Sequence, residues 1–268
     1  VFLPAVFAAY WGVGANRWRL QNVLLIAASY LFYGWWDPRF LGLIVMSSAL
    51  DYALGRLIHR AEAEGKRRRL LWLSLGINLG ILGVFKYFNF FVDSARDALL
   101  SLGLTPPALS LEIILPVGIS FYTFQTLSYT IDVYRRKLEP VDDPTTFFAF
   151  VAFFPQLVAG PIERAKRLLP QFSKPRVFDQ TSAADGLRQM LWGFVKKVVV
   201  ADNIAPYVEL CFEHHGTLDG LALFFGALLF SIQLYCDFSG YSDMAIGMAR
   251  LFGITLSQNF AYPYFART

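Results

Sequence analysis

The sequence predicts an all-α fold, that of a polytopic helical membrane protein, and three observations support this prediction. Of its 268 residues 56% are hydrophobic and only 16% are charged, and the mean hydropathy is +0.44; soluble domains carry about a quarter charged residues. The apolar residues come in repeated runs that approach the roughly 20 residues needed to cross a bilayer. The basic residues fall between these runs, so the net charge of +4 follows the positive-inside pattern and does not indicate a nucleic-acid partner.

The apolar runs, taken in order, define the candidate elements. Candidate membrane spans are residues 1–14, 22–36, 40–58, 70–92 and 113–134. Shorter apolar runs follow at residues 147–159, 187–201, 221–235 and 238–252. Because several of these are short or contain Pro and Gly, we expect some of them to be tilted or re-entrant helices buried in protein. We also expect a single membrane domain, residues 1–268, truncated at both ends, since the sequence opens inside an apolar run with no basic region before it.

Basic clusters predict the orientation of the first runs. Arg17 and Arg19 follow the first run, residues 66–69 precede the fourth, and residues 135–137 follow the fifth. If each run crosses once, the three clusters lie on one side, which the positive-inside rule makes cytoplasmic. The loop predicted at residues 94–112 then lies outside.

The first candidate functional segment is residues 153–164, where two prolines and a glycine interrupt an apolar run. A helix cannot pass smoothly through such a segment. Non-helical backbone at membrane depth is tolerated where it is buried in protein or lines a wet cavity, so a pore or substrate funnel is one interpretation. An interfacial turn that leads into a basic surface helix at residues 164–167 fits the spacing equally well.

The second candidate segment is residues 233–244, which brings carboxylates, tyrosines and serines into an apolar neighbourhood. Ionisable residues inside a membrane are costly and usually face a cavity. If the segment is helical, Asp237 and Tyr241 lie four residues apart on one face. Alternatively, Gly240 breaks the helix, or Asp237 and Ser239 cap the next helix from an interfacial loop.

The remaining polar residues point to structural roles. Gln125, Ser128 and Asp132 form a stripe at helical spacing, for which we expect hydrogen bonding between helices. His214 and His215 are adjacent, so their side chains point in different directions, and with no third ligand evident we predict no metal site. Cys211 and Cys236 lie far apart and are expected to be free thiols.

Six motifs, in order, resemble the membrane-bound O-acyltransferase family, most closely its bacterial branch that acetylates alginate. They are Tyr-Leu-Phe-Tyr-Gly-Trp-Trp at 30–36, Phe-Lys-Tyr-Phe-Asn-Phe-Phe at 85–91, Leu-Pro-Val-Gly-Ile-Ser-Phe-Tyr-Thr-Phe-Gln at 115–125, Phe-Pro-Gln-Leu-Val-Ala-Gly-Pro-Ile at 154–162, Asp-Phe-Ser-Gly-Tyr-Ser-Asp-Met at 237–244, and Asn259-Phe260 followed by Tyr-Pro-Tyr at 262–264. The resemblance runs the full length of the chain.

The resemblance implies a helical bundle around a central tunnel in the bacterial inner membrane. A thioester donor, acetyl-CoA or an acyl-carrier thioester, would be handled from the cytoplasmic side without any bound cofactor. The acyl group would pass toward an exported polysaccharide such as alginate, with a periplasmic or extracellular partner protein completing the modification. A neighbouring branch performs D-alanylation of teichoic acid.

The resemblance also implies which residues act and which do not. The family's catalytic histidines lie in Trp-His motifs downstream of residues 262–264, so it implies that these 268 residues hold no catalytic residue and are inactive alone. The residues expected to shape and polarise the tunnel wall are Pro155, Gln156, Gly160, Pro161, Tyr235, Asp237, Ser239, Tyr241 and Asp243.

Two other classes of function share some of these features. Broken helices and intramembrane carboxylates are also expected of a transporter or channel, although no repeat relates the two halves of this sequence. A non-enzymatic assembly subunit for polymer export is the third hypothesis.

Overall fold

The computed structural model describes residues 1–105, 113–158, 160–261 and 263–265, and the regular elements in these ranges are all helices. This confirms the all-α prediction. In chain order the helices are α1 (Phe2–Gly12), α2 (Trp18–Trp36), α3 (Leu41–Arg60), α4 (Glu64–Ser101), α5 (Ile119–Tyr134), α6 (Pro144–Ala152), α7 (Phe154–Leu157), α8 (Ala165–Phe172), α9 (Gln180–Phe194), α10 (Asp202–Glu213) and α11 (Gly220–Leu251). Short 3-10 turns lie at Pro38–Phe40 and Pro263–Phe265, and a π-helical stretch, Val195–Ala201, joins α9 to α10.

Among the described residues, three helices are long and apolar enough to cross a membrane: α3 with the turn before it (Pro38–Arg60), α4 and α11. Helix α4 has 38 residues, which at 1.5 Å per residue is roughly 57 Å, well beyond a hydrocarbon core of about 30 Å. The prediction of a loop at residues 94–112 is therefore wrong for residues 94–101, which belong to α4. Residues 93–101 contain no Pro or Gly, and the helix ends at Ser101, two residues before Gly103, which has a left-handed φ of 73°.

Helix α11 corrects a second prediction. The runs at 221–235 and 238–252 were expected to be separate, but α11 continues without a break from Gly220 to Leu251. Asp237 and Ser239 therefore lie inside a helix and do not cap one, and Gly240 does not interrupt it. The break in hydrophobicity at residues 236–243 reflects a polar face and not a turn.

The run at 147–159 is interrupted as expected, and the pieces are short. Asp143 caps α6 by accepting a hydrogen bond from the Thr145 N–H, and Pro144 occupies the first turn. Helix α6 has 9 residues, roughly 13 Å of helix, which is too short to cross a bilayer. The chain leaves helical geometry at Phe153, and Pro155 lies in the first turn of α7; Ala159 lies outside the described residues.

The core of the protein surrounds α6. Aromatic side chains from α5, α6 and α8 are fully buried there, namely Tyr122, Tyr129, Phe147, Phe150 and Phe172, together with Phe153 at the break. The long helices α4 and α11 instead leave many apolar side chains exposed, as expected of surfaces in contact with lipid. Helices α6 and α7 are thus short elements enclosed by protein, and the expectation of re-entrant helices stays a prediction.

The basic clusters lie at one end of the helices. The Arg67 guanidinium donates to the Tyr134 carbonyl oxygen, which joins the start of α4 to the end of α5. Arg19 forms an ion pair with Asp143 at 3.2 Å, and the neighbouring Asp142 pairs with Arg56 at 3.3 Å. These contacts place the basic cluster at Arg17 and Arg19 on the same side as the clusters at residues 66–69 and 135–137, as the spacing of the runs predicted.

The connection between α8 and α9 is anchored by a buried arginine. Arg176 donates to the Asn22 side-chain oxygen at 2.7 Å and to the Trp18 carbonyl at 3.1 Å, and its guanidinium lies 5.5 Å from the centre of the Tyr10 ring. Burial lowers the pKa of Arg176, although the Tyr10 side chain opposes this effect. The anchor fixes the entry into α9, where Asp179 accepts hydrogen bonds from the Thr181 and Ser182 N–H groups.

Candidate functional site

The broken segment at α6 and α7 is held by amide side chains. The Phe150 carbonyl accepts a hydrogen bond from the Gln125 side-chain nitrogen at 2.8 Å and from the Gln156 side-chain nitrogen at 3.1 Å. The Phe154 N–H donates to the Ser29 hydroxyl oxygen at 3.1 Å. Backbone groups freed by the break thus find partners on α2, α5 and α7, which is how irregular backbone is accommodated at membrane depth.

A second non-helical turn packs against this segment. Gly118, just before α5, has a left-handed φ of 75°, and a Cβ atom there would collide with the Leu157 carbonyl oxygen. The Tyr33 hydroxyl donates to the neighbouring Val117 carbonyl at 2.9 Å. The predicted lining residues Pro155, Gln156, Gly160 and Pro161 are all buried in this region. After them the chain enters α8, whose Lys166 and Arg167 are exposed, so a buried break leads into a basic surface helix.

The carboxylates of α11 face lysines of the π-helical stretch. Lys196 forms an ion pair with Asp243, which also accepts a hydrogen bond from the Gln189 side chain at 2.8 Å. Lys197 pairs with Asp237 at 2.7 Å and with Asp202 at 2.6 Å. The charges that sequence analysis placed in an apolar neighbourhood are thus neutralised by adjacent lysines.

Tyrosines of α11 flank the same lysines. The Lys196 ammonium lies 5.9 Å from the centre of the Tyr235 ring, and the Lys197 ammonium lies 5.4 Å from that of Tyr241. These distances allow cation–π attraction beside the ion pairs. The Ser239 hydroxyl is 1% exposed and has no hydrogen-bond partner among the described residues, which leaves unused polar capacity at this level of α11.

Close packing of glycines brings α9 and α11 together. Gly186 lies against the backbone of Gly247, and Gly193 lies against that of Gly240, where an added Cβ would come 2.6 Å from the Gly240 carbonyl oxygen. The two helices are antiparallel, because the later glycine on α9 contacts the earlier glycine on α11. We call this contact the polar seam; its residues are Gly186, Gln189, Gly193, Lys196, Lys197, Asp237, Gly240, Asp243 and Gly247. Gly240 therefore permits close approach of two backbones, which corrects its interpretation as a helix breaker.

The structure places the two sets of predicted lining residues at different levels. Helix α7 meets the C-terminal end of α11, where the Phe154 and Phe252 ring centres are 5.8 Å apart. Asp243 lies nine residues before Phe252, or roughly 13 Å along the helix axis. The buried break and the polar seam are thus two separate polar features linked by α11.

Sequence analysis missed the lysines of the polar seam. Lys196 and Lys197 were counted within an apolar run, 187–201, and given no role. Their signal is nevertheless present: two adjacent cations inside an apolar run need buried counter-charges, and Asp237 and Asp243 are the nearest carboxylates in an equally apolar run. The pairing itself depends on the antiparallel contact of α9 and α11, which local pattern does not specify.

The other polar candidates have local roles. Gln125 bonds to α6, as expected of an interhelical contact, whereas Ser128 donates to the Gln125 carbonyl of its own helix at 2.8 Å. His214 and His215 are exposed at the end of α10, and their ring nitrogens approach carbonyls of that helix. Cys211 and Cys236 are free thiols.

Comparison with known proteins gives matches along the whole chain. A protein of Pseudomonas aeruginosa named probable alginate O-acetylase AlgI is 43% identical over 272 residues, which cover all of this chain and 51% of that protein. The peptidoglycan O-acetyltransferase of Helicobacter pylori is 35% identical over 293 residues, covering 98% of this chain and 54% of the relative. The teichoic acid D-alanyltransferase of Bacillus subtilis is 26% identical over 158 residues, covering 56% of this chain and 39% of the relative.

Two facts qualify the extent of these matches. No family model matches the chain. The chain spans about half the length of the O-acetylases it matches. The matched regions nevertheless cover 98–100% of the chain. Over its whole length the chain is thus similar to bacterial O-acetylases of alginate and peptidoglycan, which supports its resemblance to the membrane-bound O-acyltransferase family.

Proposed function

We propose that the whole protein is a membrane-bound O-acyltransferase that transfers an acetyl group from a thioester donor on the cytoplasmic side toward an exported polysaccharide such as alginate. The observation that carries this proposal is identity of 35–43% along the whole chain to proteins named as O-acetylases of alginate and of peptidoglycan. We place the protein in the bacterial inner membrane with several crossings, and its acceptor outside.

The residues of this chain would form a polar route through apolar surroundings. An acyl ester and its acceptor hydroxyl need polar surroundings that lipid does not supply. In the proposal, Pro155, Gln156, Gly160 and Pro161 give the wall its shape at the buried break. Tyr235, Asp237, Ser239, Tyr241 and Asp243 polarise it along α11, with the charge balanced by Lys196 and Lys197.

The chemical step would be attack of an acceptor oxygen on the thioester carbonyl. Such a step needs a general base and hydrogen-bond donors for the developing oxyanion. We assign neither role to His59, His214 or His215, all of which are exposed. The donor would be acetyl-CoA or an acyl-carrier thioester, and a periplasmic or extracellular partner protein would complete transfer to the polymer.

D-alanyl transfer to teichoic acid is a second candidate, favoured by the match of 158 residues to the Bacillus subtilis enzyme of that name. The two candidates differ in the group transferred and in the acceptor. Identity is higher and coverage is greater for the O-acetylases, so acetyl transfer is the proposal that we put first.

The test uses the full-length natural gene in a strain of its host that lacks it. Cells receive labelled acetate or labelled D-alanine, and ester-linked label is measured on exported polymer. The proposal predicts acetyl label that depends on the gene, and no acetyl label from residues 1–268 expressed alone. Gene-dependent D-alanyl label would favour the second candidate, and wild-type labelling without the gene would refute both.

A further inference from the structure

A buried carboxyl group unrelated to the proposed function lies in the middle of α3. Asp51 is 0% exposed and sits where α3, α4 and α5 pack together. It accepts hydrogen bonds from the Ser74 hydroxyl at 2.6 Å and from the Asn78 side-chain nitrogen at 2.9 Å, and the Thr130 hydroxyl lies 3.3 Å away. Ser47 adds to the cluster by donating to the Asn78 oxygen at 2.8 Å.

The cluster around Asp51 is enclosed by protein. One turn along from Asp51, the Tyr129 ring lies over Gly55, where an added Cβ would come 2.6 Å from the ring. Ser74, Asn78 and Thr130 are each at most 1% exposed. Asp51 is also the eleventh residue of the 20 in α3, so it lies near the middle of a candidate membrane span. Asp51 and its hydrogen-bond partners are therefore shielded from solvent.

No cation pairs with Asp51 among the described residues, although charged side chains occur on each of α3, α4 and α5. On α3, Arg56 is engaged by the Tyr52 hydroxyl and by Asp142. On α4, Arg67 is engaged by Glu64 and by the Tyr134 carbonyl.

The other neighbouring helices likewise leave Asp51 without a counter-charge. On α5 the ionisable residues nearest in sequence to Thr130 are Tyr129 and Asp132, neither of which is a cation. At the start of α6, Asp143 is paired with Arg19. An ionised Asp51 would thus be an uncompensated buried charge, which is expensive in an apolar environment.

The hydrogen bonds can accommodate a neutral acid. The Thr130 hydroxyl has a single proton but lies 3.3 Å from both the Asp51 carboxyl oxygen and the Thr126 carbonyl. If Thr130 donates to the Thr126 carbonyl, its lone pairs can accept a proton from Asp51. Asn78 and Ser74 still donate to the carboxyl oxygens, so one added proton leaves every member of the cluster bonded.

We propose that Asp51 is an intramembrane proton-binding site that carries its proton at neutral pH, held by Ser74, Asn78 and Thr130. The ligand is a proton and not a metal cation, because the Asn78 amide nitrogen and the hydroxyl groups already direct hydrogen toward the carboxyl oxygens. The neutral acid joins α3, α4 and α5 without placing a net charge in the bundle. This inference does not depend on which acyl group the protein transfers.

Infrared difference spectroscopy tests the proposal on the full-length protein in detergent. The spectrum of Asp51→Asn is subtracted from that of the natural protein at neutral pH. The proposal predicts a carboxylic-acid carbonyl band that is lost in the variant and shifts in heavy water. A carboxylate band in its place would overturn the proposal. Asp243→Asn is the matched control, and its difference spectrum should contain a carboxylate band because Asp243 is paired with Lys196.

Two further measurements, salt dependence of the infrared band and thermal unfolding, test the proposal. If sodium chloride, but not choline chloride, converts the acid band to a carboxylate band, the site binds a metal cation and the proposal fails. In thermal unfolding at neutral pH, Asp51→Asn should have a melting temperature at least as high as that of the natural protein, while Asp51→Ala lowers it. The natural protein should also lose stability relative to Asp51→Asn as pH rises above the unfolded Asp pKa of about 3.9, since the unfolded chain then releases the Asp51 proton while the folded state keeps it. Equal losses in both variants, or a difference that does not change with pH, would count against it.

Discussion

At the scale of residues, the charged groups of the polar seam are balanced in pairs. The side chains of Lys196 and Asp243 are 11% and 21% exposed, so each would be poorly hydrated without the other. Breaking a buried pair by removing one partner is more harmful than replacing both, because one charge remains uncompensated. The pairing thus explains how α11 carries two carboxylates through apolar surroundings as a continuous helix.

This pairing predicts a specific pattern for single and double variants. Lys196→Met or Asp243→Asn should each lower the free energy of unfolding by about 3 kcal/mol, whereas the double variant should recover a large part of the loss. Unfolding in a detergent titration provides the measurement. Glu209→Gln, at an exposed position of α10, is the matched control and should be neutral. Additive losses in the double variant would mean that the two side chains do not interact.

At the scale of elements, small residues and caps decide where helices meet and begin. Gly186 and Gly193 lie seven residues apart on α9, and Gly240 and Gly247 lie seven apart on α11. This spacing places each pair of glycines on one helix face, so the two backbones approach closely. The approach in turn brings Lys196 and Lys197 within reach of the α11 carboxylates.

Filling one glycine of the polar seam should separate the helices. Gly193→Leu forces side-chain atoms against the Gly240 backbone and should cost about 1–3 kcal/mol of stability, as overpacking does. Gly80→Leu on α4 is the control, because a Cβ there meets no atom within 4 Å. The melting temperatures of the two purified variants provide the comparison. A loss at Gly80 as large as at Gly193 would argue against close backbone contact as the cause.

The cap of α9 should make stability depend on pH. Hydrogen bonds from the Ser182 side chain, and from the Ser182 and Thr181 N–H groups, lower the pKa of Asp179 below its usual value. Because the folded-state pKa is depressed, the stabilisation is present above the unfolded pKa of about 3.9 and is lost as pH falls through the folded pKa. The melting-temperature difference between the natural protein and Asp179→Ala should therefore shrink in acid. A difference that is constant from neutral pH to pH 3 would contradict the cap.

Sequence patterns predicted the existence of most helices but not how they are broken or joined. Apolar runs located α2, α3 and α4 because hydrophobicity reports burial in lipid or protein directly. Continuity of α11 was missed because its polar face at residues 236–243 resembles a turn until its partners on α9 are known. The break between α6 and α7 was predicted because Pro155 acts locally.

The candidate site was only partly predictable for the same reason. Asp237, Asp243 and Tyr241 were found because polar groups in an apolar run are conspicuous, whereas the roles of Lys196 and Gly240 depend on tertiary contact. Asp51 was not singled out at all. A single carboxylate in the run 40–58 acquires meaning only when Ser74, Asn78 and Thr130 converge on it.

At the scale of the whole molecule, the basic end defines a side of the membrane. The contacts of Arg67 with α5 and of Arg19 with the start of α6 gather the positive clusters together. The positive-inside rule makes this side cytoplasmic, so the end of α4 near Ser101 should be outside. The proposed thioester donor and polysaccharide acceptor would then approach from opposite ends of the bundle.

Cysteine labelling checks this orientation. In full-length protein with Cys211 and Cys236 changed to Ala, Ser101→Cys and Lys137→Cys place thiols at exposed positions of opposite ends. A membrane-impermeant maleimide added to intact spheroplasts should label the first variant, and should label the second only after the membrane is disrupted. The reverse pattern, or equal labelling of both variants, would contradict the assigned sides.

The most direct test of the central claim is acyl transfer by purified full-length protein in proteoliposomes oriented with the basic end accessible. Labelled acetyl thioester is supplied on that side, and polysaccharide and the predicted partner protein are enclosed within the vesicles. The measurement is acetyl ester formed on the enclosed polysaccharide. The account predicts ester formation that is strongly reduced in Asp243→Asn and retained in Glu209→Gln. Absence of transfer in folded preparations, or transfer by Asp243→Asn at the natural rate, would contradict it.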